Sequence, residues 1–287
     1  MYEKFYGLSV KPFAVSPDPA FLYLGRHHRR ALTLLQYAIH EAAGFALVTG
    51  EIGCGKTTVV QHFLNRPGNG LRVAYLSNTH AALGQLLPWI CEALGLELEV
   101  AGASGDYRRF VACAREEFEQ GRRILLVVDE AQNLTAAQLE ELRVLSNLNA
   151  GRSMLIQTIL VGQPELRTTL SGVALRQFAQ RVLADYHIGP LQANETEAYV
   201  RHRLSVAGGR PDLFTTEAVM RVHDAAGGTP RIINILCDTA LVYSYTDQAS
   251  TVDSAIIGQV LKDRSGSILP LFALAPALCD AAPIMAG

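Results

Sequence analysis

The sequence predicts an α/β protein: a parallel sheet covered by helices, followed near residue 190 by helices alone. Three observations carry this. Short apolar runs alternate with helical periodicities between residues 28 and 190, the pattern of parallel strands buried on both faces. One turn in that alternation is the glycine-rich stretch Gly50-Glu51-Ile52-Gly53-Cys54-Gly55-Lys56-Thr57. Beyond Pro190 the strand pattern does not recur.

Residues 1–27 are aromatic and punctuated by proline, with Pro12, Pro17 and Pro19 too close together for a continuous helix. Such a segment needs a surface to pack on. It either lies against the core that follows the glycine-rich turn or covers a sheet edge. From His28 to Ala43 the residues Ala31, Leu34, Leu35, Ala38 and Ile39 recur at helical spacing. Phe45–Thr49 reads as a buried strand and Thr58–Leu64 as the helix after the glycine turn.

Leu71–Leu76 is a second strand. Helices over Leu83–Leu94 and Tyr107–Gln120 are separated by the turn Ala101-Gly102-Ala103-Ser104-Gly105. Ile124–Val128 suits a central parallel strand, and Ala136–Leu145 a helix. Met154–Val161 and Val182–Ile188 complete the sheet. Helices follow over Glu195–Ala207, Thr216–Ala226, Arg231–Tyr245 and Val252–Asp263. The expected domains are therefore residues 1–27, a core over 28–190, a helical lid over 191–265 and an apolar tail over 266–287.

The 287 residues are 49% hydrophobic and 18% charged, a chain able to bury a large core. A net charge of −2 offers no basic field to attract nucleic acid. The five cysteines form no metal-ligand spacing, and His27-His28 lack partners at ligand distance. Cys54 lies beside a helix start, which can lower a thiol pKa, although a small loop-filling residue is the simpler reading. Met1-Tyr2-Glu3-Lys4-Phe5 has no apolar leader pattern, so the expected compartment is the cytoplasm. The tail after Ile268 is apolar but carries Asp280 and three prolines. A surface-packed or disordered tail is favoured over a membrane contact.

Strand, glycine turn, Lys-Thr and helix in that order are the context of a phosphate-binding loop. Glycines let the backbone curl around an anion, and the next helix aims its positive end at the same place. Gly50, Gly53, Cys54, Gly55, Lys56, Thr57 and Thr58 are the nucleotide-binding candidates. Lys56 suits the β- and γ-phosphates, and the Thr57 hydroxyl suits Mg²⁺.

Asp129-Glu130 end an apolar strand, which places Asp129 to hold Mg²⁺ through water and Glu130 to activate the attacking water. Gln163, at the tip of the next strand, can touch both γ-phosphate and water. Arg176 and Arg181 are candidates for a guanidinium supplied across a subunit interface. Arg231, in the first turn of a lid helix, can report closure. A helicase is excluded because residues 191–287 hold no second strand–helix core.

Together these motifs resemble the AAA+ ATPases, and more narrowly the group typified by general secretion pathway protein A. The N-terminal stretches Phe5-Tyr6-Gly7-Leu8, Pro12-Phe13 and Pro17-Asp18-Pro19 are similar to that group's signature, as is His28-x-x-Ala31-Leu32. So are Asp129-Glu130-Ala131-Gln132, Val161-Gly162-Gln163-Pro164, Gln180-Arg181 and Gly228-Thr229-Pro230-Arg231.

The resemblance implies ATP as the nucleotide, the N-terminal region framing the adenine, and catalytic roles for Lys56, Glu130, Gln163, Arg181 and Arg231. It favours Arg181 over Arg176 as the finger. It also implies a homo-oligomer, with a ring as one form, working with a secretion or envelope-assembly machine at the inner face of the cytoplasmic membrane. A DNA-directed switch of the transposition type is the alternative.

Overall fold

The computed structural model describes residues 1–16, 18–65, 70–77, 84–97, 103–150 and 153–264. Ala101-Gly102 of the expected turn, the start of the Leu83 helix, Cys279 and the apolar tail lie outside these residues; the last three residues of that turn, Ala103 to Gly105, belong instead to a helix that begins at Ala103. The chain divides into two compact units, Arg26–Gly189 and Met1–Gly25 with the chain from Pro190 onward.

In the first unit, helix α1 (Arg26–His40) precedes strand β1 (Phe45–Gly50), and α2 (Lys56–Leu64) leads to β2 (Leu71–Leu76). Helices α3 (Leu87–Ala93) and α4 (Ala103–Glu119) are followed by β3 (Arg123–Val128) and α5 (Ala136–Leu145). A hairpin of two-residue strands, β4 (Asn149–Ala150) and β5 (Ser153–Met154), precedes β6 (Ile156–Gly162). Two short helices, α6 (Glu165–Leu170) and α7 (Arg176–Ala179), then lead to β7 (Val182–Ile188).

The sheet has five strands in the order β2-β3-β6-β1-β7, every neighbouring pair parallel. Every residue of β1 and β6 is buried, whereas β2 and β7 at the edges are only partly so. Continuous apolar strands are what a sheet covered on both faces requires. Two further expectations shift. The fourth core strand starts at Ile156 because Ser153-Met154 pair back on Asn149-Ala150. The third helix starts at Leu87, with a proline in its first turn.

The second unit contains α8 (Ala193–Val206), α9 (Thr216–Ala226), α10 (Pro230–Thr246) and α11 (Ser254–Arg264). The sequence offered two partners for the N-terminal segment, the nucleotide-binding core or a sheet edge. Its buried side chains Tyr2, Leu8, Phe13 and Phe21 instead share the core of these helices. Phe13 meets Phe214 edge to face, with centroids 5.7 Å apart, and the Tyr2 hydroxyl donates to Asp238.

The buried Arg203 guanidinium donates to the carbonyls of Pro12 and Ala14 and lies 4.8 Å from the Phe21 ring centre. A segment without regular structure leaves backbone carbonyls unpaired. One planar, multi-donor cation satisfies two of them at once.

Candidate nucleotide-binding site

Register places the functional turns together. Thr49 of β1 lies opposite Gly162 of β6, and Val128 of β3 lies between Leu76 of β2 and Leu160 of β6. The turns that leave β1, β3 and β6 therefore open at one edge of the sheet, the carboxyl edge, where open α/β sheets bind ligands.

The loop after β1 is shaped by Gly53 and Gly55 at φ 82° and 97°, a region closed to most side chains. Gly55 has a second constraint, because a Cβ there would lie 2.9 Å from His28 Nε2. His28 is buried under the loop, with Nε2 2.7 Å from the Cys54 carbonyl oxygen. Helix α2 begins at Lys56 without any side-chain cap, leaving its first-turn amides to bind an anion. The Lys56 ammonium is buried and donates to the carbonyls of Gly50 at 2.8 Å and Glu51 at 3.1 Å. The loop is thus folded around its own cation.

Thr57 Oγ1 donates to Asp129 Oδ2 at 2.9 Å, which joins the phosphate loop to the end of β3. Tyr75, one residue from the end of β2, donates to the same oxygen at 2.7 Å. The Glu130 amide donates to Asp129 Oδ1 at 2.9 Å, so both carboxylate oxygens are held. Burial and the carboxylate beside it push the Tyr75 phenol well above its ordinary pKa, which keeps it a donor.

Among the described residues no group of three or more His, Cys, Asp or Glu could hold a metal. One hydroxyl and one carboxylate at hydrogen-bond distance are nevertheless the oxygen donors that Mg²⁺ takes from P-loop proteins, with water and phosphate oxygens as the rest. Such an all-oxygen donor pair suits a hard divalent cation such as Mg²⁺.

Glu130 has φ 52°, a left-handed backbone that costs a non-glycine residue roughly 1 kcal/mol. Gln132 Nε2 donates to Glu130 Oε2 at 2.6 Å, and the Gln163 amide donates to Gln132 Oε1 at 3.0 Å. Gln163 thus reaches the site through its backbone.

The structure therefore brings Lys56, Thr57, Asp129 and Glu130 together and links Gln163 to them. The half-buried Arg181 donates to Ser146 Oγ at 3.0 Å, beyond the end of α5, while Arg176 is exposed. Arg231 is exposed in the first turn of α10, in the other unit. The turn before it is tightly held: a Cβ on Gly228 (φ 71°) would lie 2.2 Å from the Leu191 carbonyl oxygen, and the Leu191 amide donates to Gly228 at 2.9 Å.

Cys54 is not activated. Burial raises its pKa and outweighs the opposite pull of Lys56, so it fills the loop as a neutral thiol. Tyr75 is a contribution that sequence reasoning missed, and His28 and Gln132 entered it only as members of the family's signature stretches. Gln132 at least carried a signal, a polar side chain two residues beyond the strand-ending carboxylates.

A five-stranded parallel sheet in this order, with a phosphate loop after its first strand and paired carboxylates after its third, defines a P-loop nucleotide-binding protein of the AAA+ fold. Residues 39–170 match the family described as an AAA domain. The resemblance to the secretion group is borne out by 40% identity over 246 residues to general secretion pathway protein A of Aeromonas hydrophila. That match covers 85% of this chain and 45% of the relative.

A second relative, Mu-like prophage FluMu DNA transposition protein B of Haemophilus influenzae, is 31% identical over 154 residues, 54% of this chain and 49% of its own length. The chain thus spans about half the length of the curated relatives it matches. The Aeropyrum pernix ORC2 protein in its ADP form superposes with a TM-score of 0.66 at 16% identity, covering 90% of this chain and 73% of that one. At that identity the likeness concerns the fold.

Proposed function

We propose that the chain binds ATP with Mg²⁺ and hydrolyses it, in a site completed by a second copy. The observation that carries this reading is the continuous hydrogen-bonded path from Thr57 through Asp129 to Glu130. In this reading the phosphate loop and Lys56 bind the triphosphate, and Thr57 and Asp129 hold the metal. When bound, Mg²⁺ supplies charge neutralisation at the β- and γ-phosphates.

Glu130 takes a proton from water as the water oxygen bonds to the γ-phosphorus. The bond from that phosphorus to the β,γ-bridging oxygen breaks, and ADP and phosphate leave. Arg181 is assigned to the neighbouring subunit's site as the finger and Arg231 to reporting nucleotide state. Likeness to general secretion pathway protein A supports work with a secretion or envelope-assembly machine at the inner face of the cytoplasmic membrane. Among the described residues no helix is long and apolar enough to cross a membrane.

Similarity to a DNA transposition protein favours one alternative, a DNA-directed ATPase switch. ATPase rate measured against protein concentration, with and without double-stranded DNA, separates the two. A steep rise with concentration, lost in Arg181→Ala, supports a site completed in trans. Strong stimulation by DNA supports the switch. A specific rate independent of concentration in both series removes the trans finger.

A further inference from the structure

The Glu130 side chain is fixed by a chain of two hydrogen bonds that begins on another strand. The backbone N–H of Gln163, just past the tip of β6, donates to Gln132 Oε1 at 3.0 Å, and Gln132 Nε2 donates to Glu130 Oε2 at 2.6 Å. The chain has a direction. Its middle member must accept at one end and donate at the other, which among side chains of this length only a primary amide does.

The seat for that amide is built into β6. A Cβ on Gly162 would lie 2.9 Å from Gln132 Oε1, 3.3 Å from the Gln132 amide nitrogen and 2.8 Å from a methyl of Leu166. Residue 162 is buried at the end of a fully buried strand, and the absence of its side chain leaves the room that Gln132 fills. The carboxylate at the other end stands on a left-handed backbone, φ 52°, so its own local geometry does not favour the pose.

We infer that Gln132 is a positioning residue that orients the Glu130 carboxylate and ties it to the tip of β6, so that the base is aligned only when the strand carrying Gln163 is in register with it. This rests on Glu130 being the base. The physical argument is one of angle and distance. A carboxylate that accepts from a fixed donor keeps a narrower range of orientations, and general-base catalysis falls steeply when its orientation is lost. Confinement costs nothing at the moment of reaction, because the amide is already in place before any water arrives.

Three variants of the full chain test this: Gln132→Glu, Gln132→Met and Gly162→Ala, with Glu130→Gln as the reference. Gln132→Glu still accepts from the Gln163 amide but sets a like charge against Glu130. Gln132→Met keeps the volume and loses both bonds. Gly162→Ala pushes the native amide out of its seat. For each, kcat, KM, the Kd for a fluorescent non-hydrolysable ATP analogue and the melting temperature are measured.

The expected result is a kcat lower on the order of 10- to 100-fold in all three, with the Kd within about twofold of the parent. Glu130→Gln should lose more, on the order of 10²- to 10⁴-fold. Normal turnover in Gln132→Glu and Gln132→Met beside a silent Glu130→Gln overturns the positioning role and leaves the base in place. Normal turnover in Glu130→Gln removes the base itself, a different failure. A kcat that falls only together with Kd and melting temperature makes Gln132 a packing residue, which also overturns the inference.

Discussion

Helices α2 and α10 both start after a turn containing two left-handed glycines, and each carries a basic residue in its first turn. At α2 the glycines are Gly53 and Gly55, and the basic residue is Lys56. At α10 they are Gly227 and Gly228, and the basic residue is Arg231. The first helix start is free of any side-chain cap, opens with residues that all carry an N–H, and closes its loop around a buried ammonium. The second opens with Pro230, which has no N–H to offer, and the space beside Gly228 is filled by the Leu191 backbone.

Glycine therefore does different work at the two turns. In the phosphate loop it lets the backbone curve toward an anion. Before α10 it lets two segments of backbone meet. The first turn offers an anion its backbone amides and a lysine, whereas the second lacks one N–H at Pro230 and offers the Arg231 guanidinium.

Lys56→Ala is the sharpest way to break this contrast. Nucleotide affinity should fall on the order of a thousandfold, about 4 kcal/mol, in a fluorescent-nucleotide titration. A loss under tenfold would mean that the amides alone hold the phosphates. Gly228→Ala comes next, with roughly 2–3 kcal/mol of unfolding free energy lost from the helical unit in urea, from the clash and the left-handed backbone together. Nucleotide Kd should move much less, and an unchanged urea midpoint would show that the Leu191 contact is not confining.

Arg231→Ala is the mildest. Its exposed side chain predicts a change in stability within about 0.5 kcal/mol and a kcat lower by about tenfold. Turnover at the parental rate would leave the second helix start with no part in the reaction.

These two turns also mark how far the sequence could be read. The phosphate loop was legible because its whole chemistry is contiguous, eight residues between a strand and a helix. Asp129 and Glu130 were legible because a buried strand that ends in two carboxylates is conspicuous. Tyr75 was not. It reaches Asp129 across 54 residues only because β2 lies beside β3, and strand order is not written in any local pattern. Gln132 depends in the same way on β6 lying beside β3, at a sequence separation of 31 from Gln163. The helices α6 and α7, of six and four residues, are too short to show a period. The aromatic segment before residue 25 was seen to need a partner, but its partner, around Arg203, has no signature of its own.

That partnership sets an order of events in synthesis. Arg203 is made 191 residues after Pro12, and Asp238 is made 236 residues after Tyr2. At ribosomal speeds of about 5–20 residues per second, the first aromatic residues wait roughly 10–50 s for the helices that bury them. Residues 26–189 are continuous and can collapse in the meantime. The N-terminal aromatic segment therefore waits without its native partners until α8 and α10 have been made, while residues 26–189 can already pack.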